Sequence, residues 1–189
     1  MKFKSKKNLK IKFKSNKEMK SFKNLLLHGF YFSLYGFVKY LSFPFFNYLR
    51  FLIIRLFSPN FRTTSVSDGV TIYFPWRVSV DRCSTLNQGV IIDGFGGVTI
   101  GKGVRIAPNT IINTADHVFK NKKDFFYKQG FNCLPVKICD NVWIGSNCTI
   151  NKGVTIGNSV VIGSGSVVTK DIPANSLAVG IPARVIKTL

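Results

Sequence analysis

Residues 138–168 run ICDNVWIGSNCTINKGVTIGNSVVIGSGSVV, and one position in six is apolar throughout: Ile138, Ile144, Ile150, Ile156, Ile162 and Val168. A second row, apolar or small, stands two residues before each of these, at Val136, Val142, Cys148, Val154, Val160 and Ser166. An α-helix would wind such a stripe around its surface, whereas short strands separated by bends keep it on one side. The residue after each row member, Cys139, Gly145, Asn151, Gly157, Gly163 or Thr169, is expected at the bend. Glycine and asparagine accept the φ > 0 that bends often need. The stretch therefore predicts a parallel β-helix built from six-residue repeats.

The same phase continues upstream through Val66 and Ile72, then Val80, Leu86 and Ile92, then Ile100, Ile106 and Ile112. Three faces of six residues make a coil of roughly 18 residues, and about five coils fit between Val66 and the C-terminus. The steps from Ile72 to Val80 and from Ile92 to Ile100 each exceed six by two residues, and that from Ile112 to Ile138 exceeds it by twenty. Intact triplets separate these insertions, so all three fall at one corner of coils stacked about 4.7–4.9 Å apart. That edge carries Phe74 to Trp76, Asp93 to Gly97, and a long loop containing His117. Long loops on regular scaffolds are where function concentrates.

At 189 residues and 46% apolar, the chain can bury one principal core plus an appendage. Residues 1–60 hold 13 Lys or Arg against the single acid Glu18, while residues 61–189 hold 14 against 7. Twelve of the 18 phenylalanines fall between Phe3 and Phe61. The turn-forming cluster Ser58-Pro59-Asn60 marks the break. Residues 1–60 are thus expected to form a basic, aromatic helical segment, and residues 61–189 the repeat domain.

The lysine-rich start and apolar Leu25 to Val38 imitate a secretory signal, but no alanine precedes Ala107 to supply a small-residue cleavage site. A spanning helix needs about 20 apolar residues. Here the uncharged run from Asn24 ends at Lys39, and Arg50 and Arg55 interrupt the apolar stretch beyond it. The expected location is cytoplasmic. Ten lysines in residues 1–24 leave two readings of the N-terminus open. One is a peripheral anchor on the anionic inner face of the cytoplasmic membrane, each lysine contributing about 1 kcal/mol. The other is a disordered basic tail plus helices packed on the open end of the β-helix, and the two are compatible, with Asn47 to Phe57 as the cap. No nucleic-acid recognition module accompanies the basic tail. Cys83, Cys133, Cys139 and Cys148 form no CxxC pair and read as reduced thiols. Two histidines, His28 and His117, are too few for the three-histidine zinc centre of a β-helical carbonic anhydrase, and no metal is expected.

The stretches ICDNVWIGS (138–146), VTIGNS (154–159), IGSGSVVTKDIP (162–173) and VGIPARVI (179–186) closely resemble hexapeptide-repeat acetyltransferases of the galactoside and maltose O-acetyltransferase type. Upstream, VRIAPN (104–109) and NTADH (113–117) resemble the segment carrying that family's catalytic histidine. Tyr73-Phe74-Pro75-Trp76 and residues 48–57 resemble the branch that acetylates bacterial surface polysaccharides such as colanic acid. The resemblance implies a left-handed β-helix, although parallel crossovers are ordinarily right-handed. It further implies a homotrimer with active sites between subunits, acetyl-CoA as co-substrate, and a sugar hydroxyl as acceptor. The setting it implies is capsule, exopolysaccharide or lipopolysaccharide biosynthesis.

Acetyl transfer from a thioester to an alcohol needs a base for the hydroxyl proton and donors for the tetrahedral oxyanion. Histidine, with an unperturbed pKa of about 6.5, suits the first task, and His117 is the candidate. Asp116 or a backbone carbonyl would orient its ring. The family implies a backbone N–H near Ser146 as the oxyanion donor. No cysteine lies in the His117 motif, so direct transfer in a ternary complex is expected. The resemblance places acetyl-CoA along the C-terminal coils at Ser146, Ser164, Thr169, Lys170, Arg184 and Lys187, where cations can meet its phosphates. Trp143 precedes a core row and should point outward, either filling the subunit interface or lining the donor channel. On the acceptor side, Asn87 matches a sugar-binding asparagine but also occupies a bend position, and Asp93 shares the insertion corner with His117. Fold alone selects no function. The alternatives are a non-catalytic docking protein and an acyltransferase with another acyl donor or a non-sugar acceptor.

Overall fold

The computed structural model describes residues 22–189. The rows read from sequence line the inside of a three-sided prism. Parallel pairing on the first face aligns Val66, Leu86, Ile106, Ile144, Ile162 and Ala178. The second face aligns Ile72, Ile92, Ile112, Ile150 and Val168. The third aligns Val80, Ile100, Ile138, Ile156 and Ile172. Every one of these side chains is buried. At about 1.5–3 kcal/mol for each fully buried isoleucine, leucine or valine, the stack is the main source of the domain's stability. Five coils close on all three faces, and Ser176–Gly180 opens a sixth.

The bends follow a different rule from the one the sequence suggested. Positive φ falls not on the residue after the row but two positions later, at Asn141 (56°), Asn147 (57°), Gly153 (78°), Ser159 (53°) and Gly165 (73°). The glycine directly after the row serves close approach instead. A Cβ on Gly145 would lie 2.5 Å from the Ser164 nitrogen of the next coil, and one on Gly157 would lie 2.5 Å from that of Ala174. Asn87 occupies that same position without positive φ, and its amide donates to the Ile106 carbonyl at 2.8 Å.

All three insertions do share the corner between the second and third faces. The Gly94 N–H donates to Tyr73 O at 3.0 Å, and Thr114 Oγ1 donates to Asp93 O at 2.8 Å, which ties the three levels together. Ile138 pairs directly with Ile100, so the residues after Ile112 are extruded from the prism. They form an arm rather than a plain loop: Ala115–His117 pairs antiparallel with Phe131–Cys133, and the tip includes the short turn Phe126–Lys128.

Two helices, α1 (Phe22–Gly36) and α2 (Phe45–Phe57), cover the open end of the first coil. Tyr31, Tyr35, Val38, Phe51 and Ile54 join the core of the β-helix. An uncovered first coil would leave carbonyls without donors, and the cap supplies them. Tyr35 Oη donates to Val70 O at 3.0 Å, and Ser58 Oγ donates to Val78 O at 2.5 Å. Arg50, wholly buried, donates through Nε to Val66 O (2.9 Å) and through Nη1 to Val38 O and Leu41 O (2.8 Å each). Its Nη2 reaches Asn47 Oδ1. Both helices pack on the first coil, while the lysine run before Ser21 lies outside the described residues. Among the described residues no helix is long and apolar enough to cross a membrane.

Candidate active site

His117 ends the inner strand of the arm, exposed, with Phe131 directly opposite in register. The two rings lie 4.4 Å apart, centroid to centroid, at 39°. Beside the imidazole opens a cleft of about 620 Å³ lined by Asp116, His117, Phe119, Lys122 and Phe126. Behind it the corner is a run of aromatic contacts: Phe131 to Phe95 at 5.9 Å, Phe95 to Phe74 at 5.1 Å, and Phe74 to His28 of α1 at 4.4 Å. The root of the arm is thus packed on a continuous run of rings.

Asp116 does not orient the imidazole. Adjacent strand residues point to opposite sides, and the Asp116 carboxylate pairs with Lys152 on the next coil. Nor does a backbone carbonyl accept from the His117 ring among the described residues. Phe131 is what abuts it. Asp93 braces the root of the arm: Oδ1 accepts the Phe95 N–H at 3.0 Å, and Oδ2 accepts the Thr114 N–H at 3.4 Å. Sequence reasoning passed over both Phe131 and Lys152. The first gains its meaning only from the hairpin register, and the second sits in an Asn-Lys-Gly bend that reads as surface.

The same corner continues past His117 to Lys152 and then to Thr169 and Lys170, both exposed, so an imidazole and a lysine ammonium share one edge. Comparison with known proteins gives this edge a context. Residues 135–170 match the family model described as bacterial transferase hexapeptide (six repeats). The galactoside O-acetyltransferase of Escherichia coli (strain K12) is 47% identical over 121 residues, covering 62% of this chain and 58% of that one. A maltose O-acetyltransferase structure from Clostridium difficile 630 superposes with a TM-score of 0.75 at 32% identity, covering 88% of each chain. The chain belongs to the hexapeptide-repeat acetyltransferase family.

A further member of that family, from Vibrio cholerae O1 biovar eltor and solved in complex with acetyl coenzyme A, superposes with a TM-score of 0.77 at 27% identity over 90% of this chain and 91% of that one. The chain spans about half the length of several sequence relatives, including 58% of the E. coli protein and 44% and 50% of two yeast proteins.

Seen as a hexapeptide-repeat protein, the chain divides its candidate residues between two edges. His117, Asp93, Thr169 and Lys170 lie along the corner between the second and third faces. Asn87, Ser146 and Ser164 lie along the corner between the first and second. Trp143 is 57% exposed on the outside of the first face, in register between Arg105 and Val161. Arg184 and Lys187 belong to Ala183–Thr188, the antiparallel strand that closes that face. The Ser146 N–H donates to no acceptor among the described residues, leaving it free for an outside ligand. The buried thiols offer no nucleophile: burial pushes Cys133 up to about 11 and also raises Cys148, so both stay protonated. Among the described residues no group of three His, Cys, Asp or Glu side chains could hold a metal ion.

Proposed function

We propose that this chain is an acetyl-CoA-dependent O-acetyltransferase that acts on a sugar hydroxyl in bacterial surface-polysaccharide biosynthesis. Carrying this reading is the placement of His117 over an open, aromatic-lined cleft, on the edge that leads to Thr169 and Lys170. His117 takes the proton of the attacking hydroxyl as its oxygen bonds to the thioester carbonyl carbon. The oxyanion is held by the Ser146 N–H. Collapse of the intermediate expels the CoA sulfur, which receives the proton from His117. Lys170, Arg184 and Lys187 neutralise CoA phosphates, with Ser164 and Thr169 along its path.

Because Ser146 and His117 stand on different edges of one prism, a complete site takes one edge from each of two subunits. We assign the assembly as a homotrimer, in which the exposed Trp143 lies at the boundary. Asn87 and Asp93 are placed on the acceptor side, Asn87 from the neighbouring subunit. The proposed location is cytoplasmic, held at the inner face of the membrane. The reading is supported by the galactoside and maltose enzymes among the relatives.

Purified protein with acetyl-CoA and a panel of surface glycans should release CoA, and His117→Ala should slow release by about 10²–10⁴-fold. A variant as fast as wild type would remove His117 from the mechanism.

A further inference from the structure

The cap helices are apolar on both sides. Along α1, Tyr31 and Tyr35 face the core, while Leu26 and Phe30 are 57% and 63% exposed, and Phe37, in the turn just after the helix, is 81% exposed. On α2, Ile54 is buried and Leu56 is 75% exposed. A surface helix of a soluble domain carries polar residues on its outer stripe, and monomers rarely expose contiguous apolar patches beyond a few hundred Å². Capping the β-helix explains the inner side only.

Charge identifies what covers the outer side. No acid occurs between Glu18 and Asp68, and the chain enters α1 from a segment in which residues 1–20 hold nine lysines. At the rim of the face Arg55, Arg62 and Arg82 line an open cleft of about 400 Å³. Arg55, one residue before Leu56, joins the cleft to the apolar stripe. The counter-charge at the cleft is slight: Arg62 and Asp81 lie 3.8 Å apart with side chains 53% and 42% exposed, a pair that solvent screens. A second copy of the chain would set these cations against themselves, which like-charge repulsion disfavours.

We propose that the outer face of α1 and α2 docks on an anionic lipid bilayer, with the Arg55–Arg62–Arg82 cleft receiving a lipid phosphate. This deepens the location proposed above and stands apart from acetyl transfer. Apolar side chains at the interface and cations against the headgroups are the two forces that hold amphipathic surfaces there. The insertion corner then runs away from the bilayer. His117, two coils beyond the first, stands about 10 Å further out, within reach of a glycan tethered to the same membrane.

Flotation of the full chain with phosphatidylcholine vesicles, with and without phosphatidylglycerol, tests the proposal. The protein should float with the anionic vesicles. The triple variant Leu26→Gln, Phe37→Gln, Leu56→Gln should remain at the bottom while still releasing CoA with a soluble acceptor at the wild-type rate. Arg62→Gln and Arg82→Gln should each weaken binding to anionic vesicles about fivefold. Flotation of the triple variant like wild type would overturn the docking face, as would failure of the wild type to float. Equal binding of the arginine variants and wild type would overturn the phosphate assignment. If the wild type ignores vesicles and, without lipid, sediments as a larger assembly than the triple variant, the face belongs to a second copy and the proposal fails. Loss of CoA release in every sample would refute acetyl transfer and leave the flotation result intact.

Discussion

The imidazole of His117 rests on the ring of Phe131, 4.4 Å away between centroids, and no side chain or carbonyl among the described residues hydrogen-bonds it. Packing, not a carboxylate, therefore selects its rotamer. Phe131→Ala should lower kcat about 10–100-fold, the scale of a misplaced base, while leaving KM for acetyl-CoA and the thermal midpoint near wild type. Phe131→Tyr keeps the ring and should restore most of the rate. Equal losses in both variants, or a fall in the midpoint that tracks the loss, would mean that Phe131 only holds the arm together.

Arg50 is the plug of the first coil. Replacing it by methionine keeps much of the volume but removes the donors to Val66 O, Val38 O and Leu41 O. At about 1–3 kcal/mol for each of the two buried acceptors left without a partner, Val66 O and Val38 O, and less for the part-buried Leu41 O, the variant should lose about 3 kcal/mol. For a chain of this size that lowers the melting midpoint by about 10 °C, measured at matched protein concentration because assembly also shifts it. Arg50→Lys should recover only part, since an ammonium cannot span the fork that three carbonyls define. A midpoint within about 2 °C of wild type for Arg50→Met would show that the coil end holds without its plug.

Arg50 also shows where sequence reading stops. As a charge interrupting an apolar run it argued against a membrane span, and nothing local revealed that it would be fully buried, tying a first-coil carbonyl (Val66) to two carbonyls of the segment between the helices (Val38 and Leu41). The six-residue rows were legible because each strand's burial repeats within its own hexapeptide, and the corner was legible because insertion lengths add along the chain. The pairing of Phe131 with His117 was not, since it depends on a hairpin register that neither strand encodes alone. The bends misled for a related reason. Glycine was read for its freedom in φ, whereas Gly145 and Gly157 are small because another coil passes close above them.

That distinction separates two glycines experimentally. Gly145→Ala would bring a Cβ to 2.5 Å from Ser164 N and 2.8 Å from its Cα, atoms of a backbone fixed in the next coil. Overpacking of this kind costs about 1–3 kcal/mol, and Ser164 lies on the proposed CoA path, so KM for acetyl-CoA should rise as well. Gly103 has φ +71° and open space around it. Gly103→Ala should cost about 1–2 kcal/mol from backbone strain alone, with KM unchanged, and Gly103→Asn should be milder. Chemical denaturation combined with steady-state kinetics reads both effects. A Gly145→Ala protein with wild-type KM would disconnect that coil contact from donor binding.

His28 gives the cap its own pH dependence. Its ring meets Phe74 and Trp76 edge-on at 4.4 and 4.8 Å, its Nε2 is buried without a partner, and burial lowers its pKa below the ordinary value of 6.5. The unfolded chain then accepts a proton at a pH where the folded chain resists it. Its contribution to stability is thus intact above pH 6.5 and declines as pH falls through 6.5 toward the lower folded value. Between about pH 7.5 and pH 5.5, spanning the ordinary histidine range, the melting midpoint of wild type should fall further than that of His28→Leu. The variant keeps an apolar side chain against Phe74 but has nothing to protonate. Because other groups titrate alike in both proteins, the difference between the two slopes isolates His28. Parallel slopes would show that its ring is protonated as readily folded as unfolded.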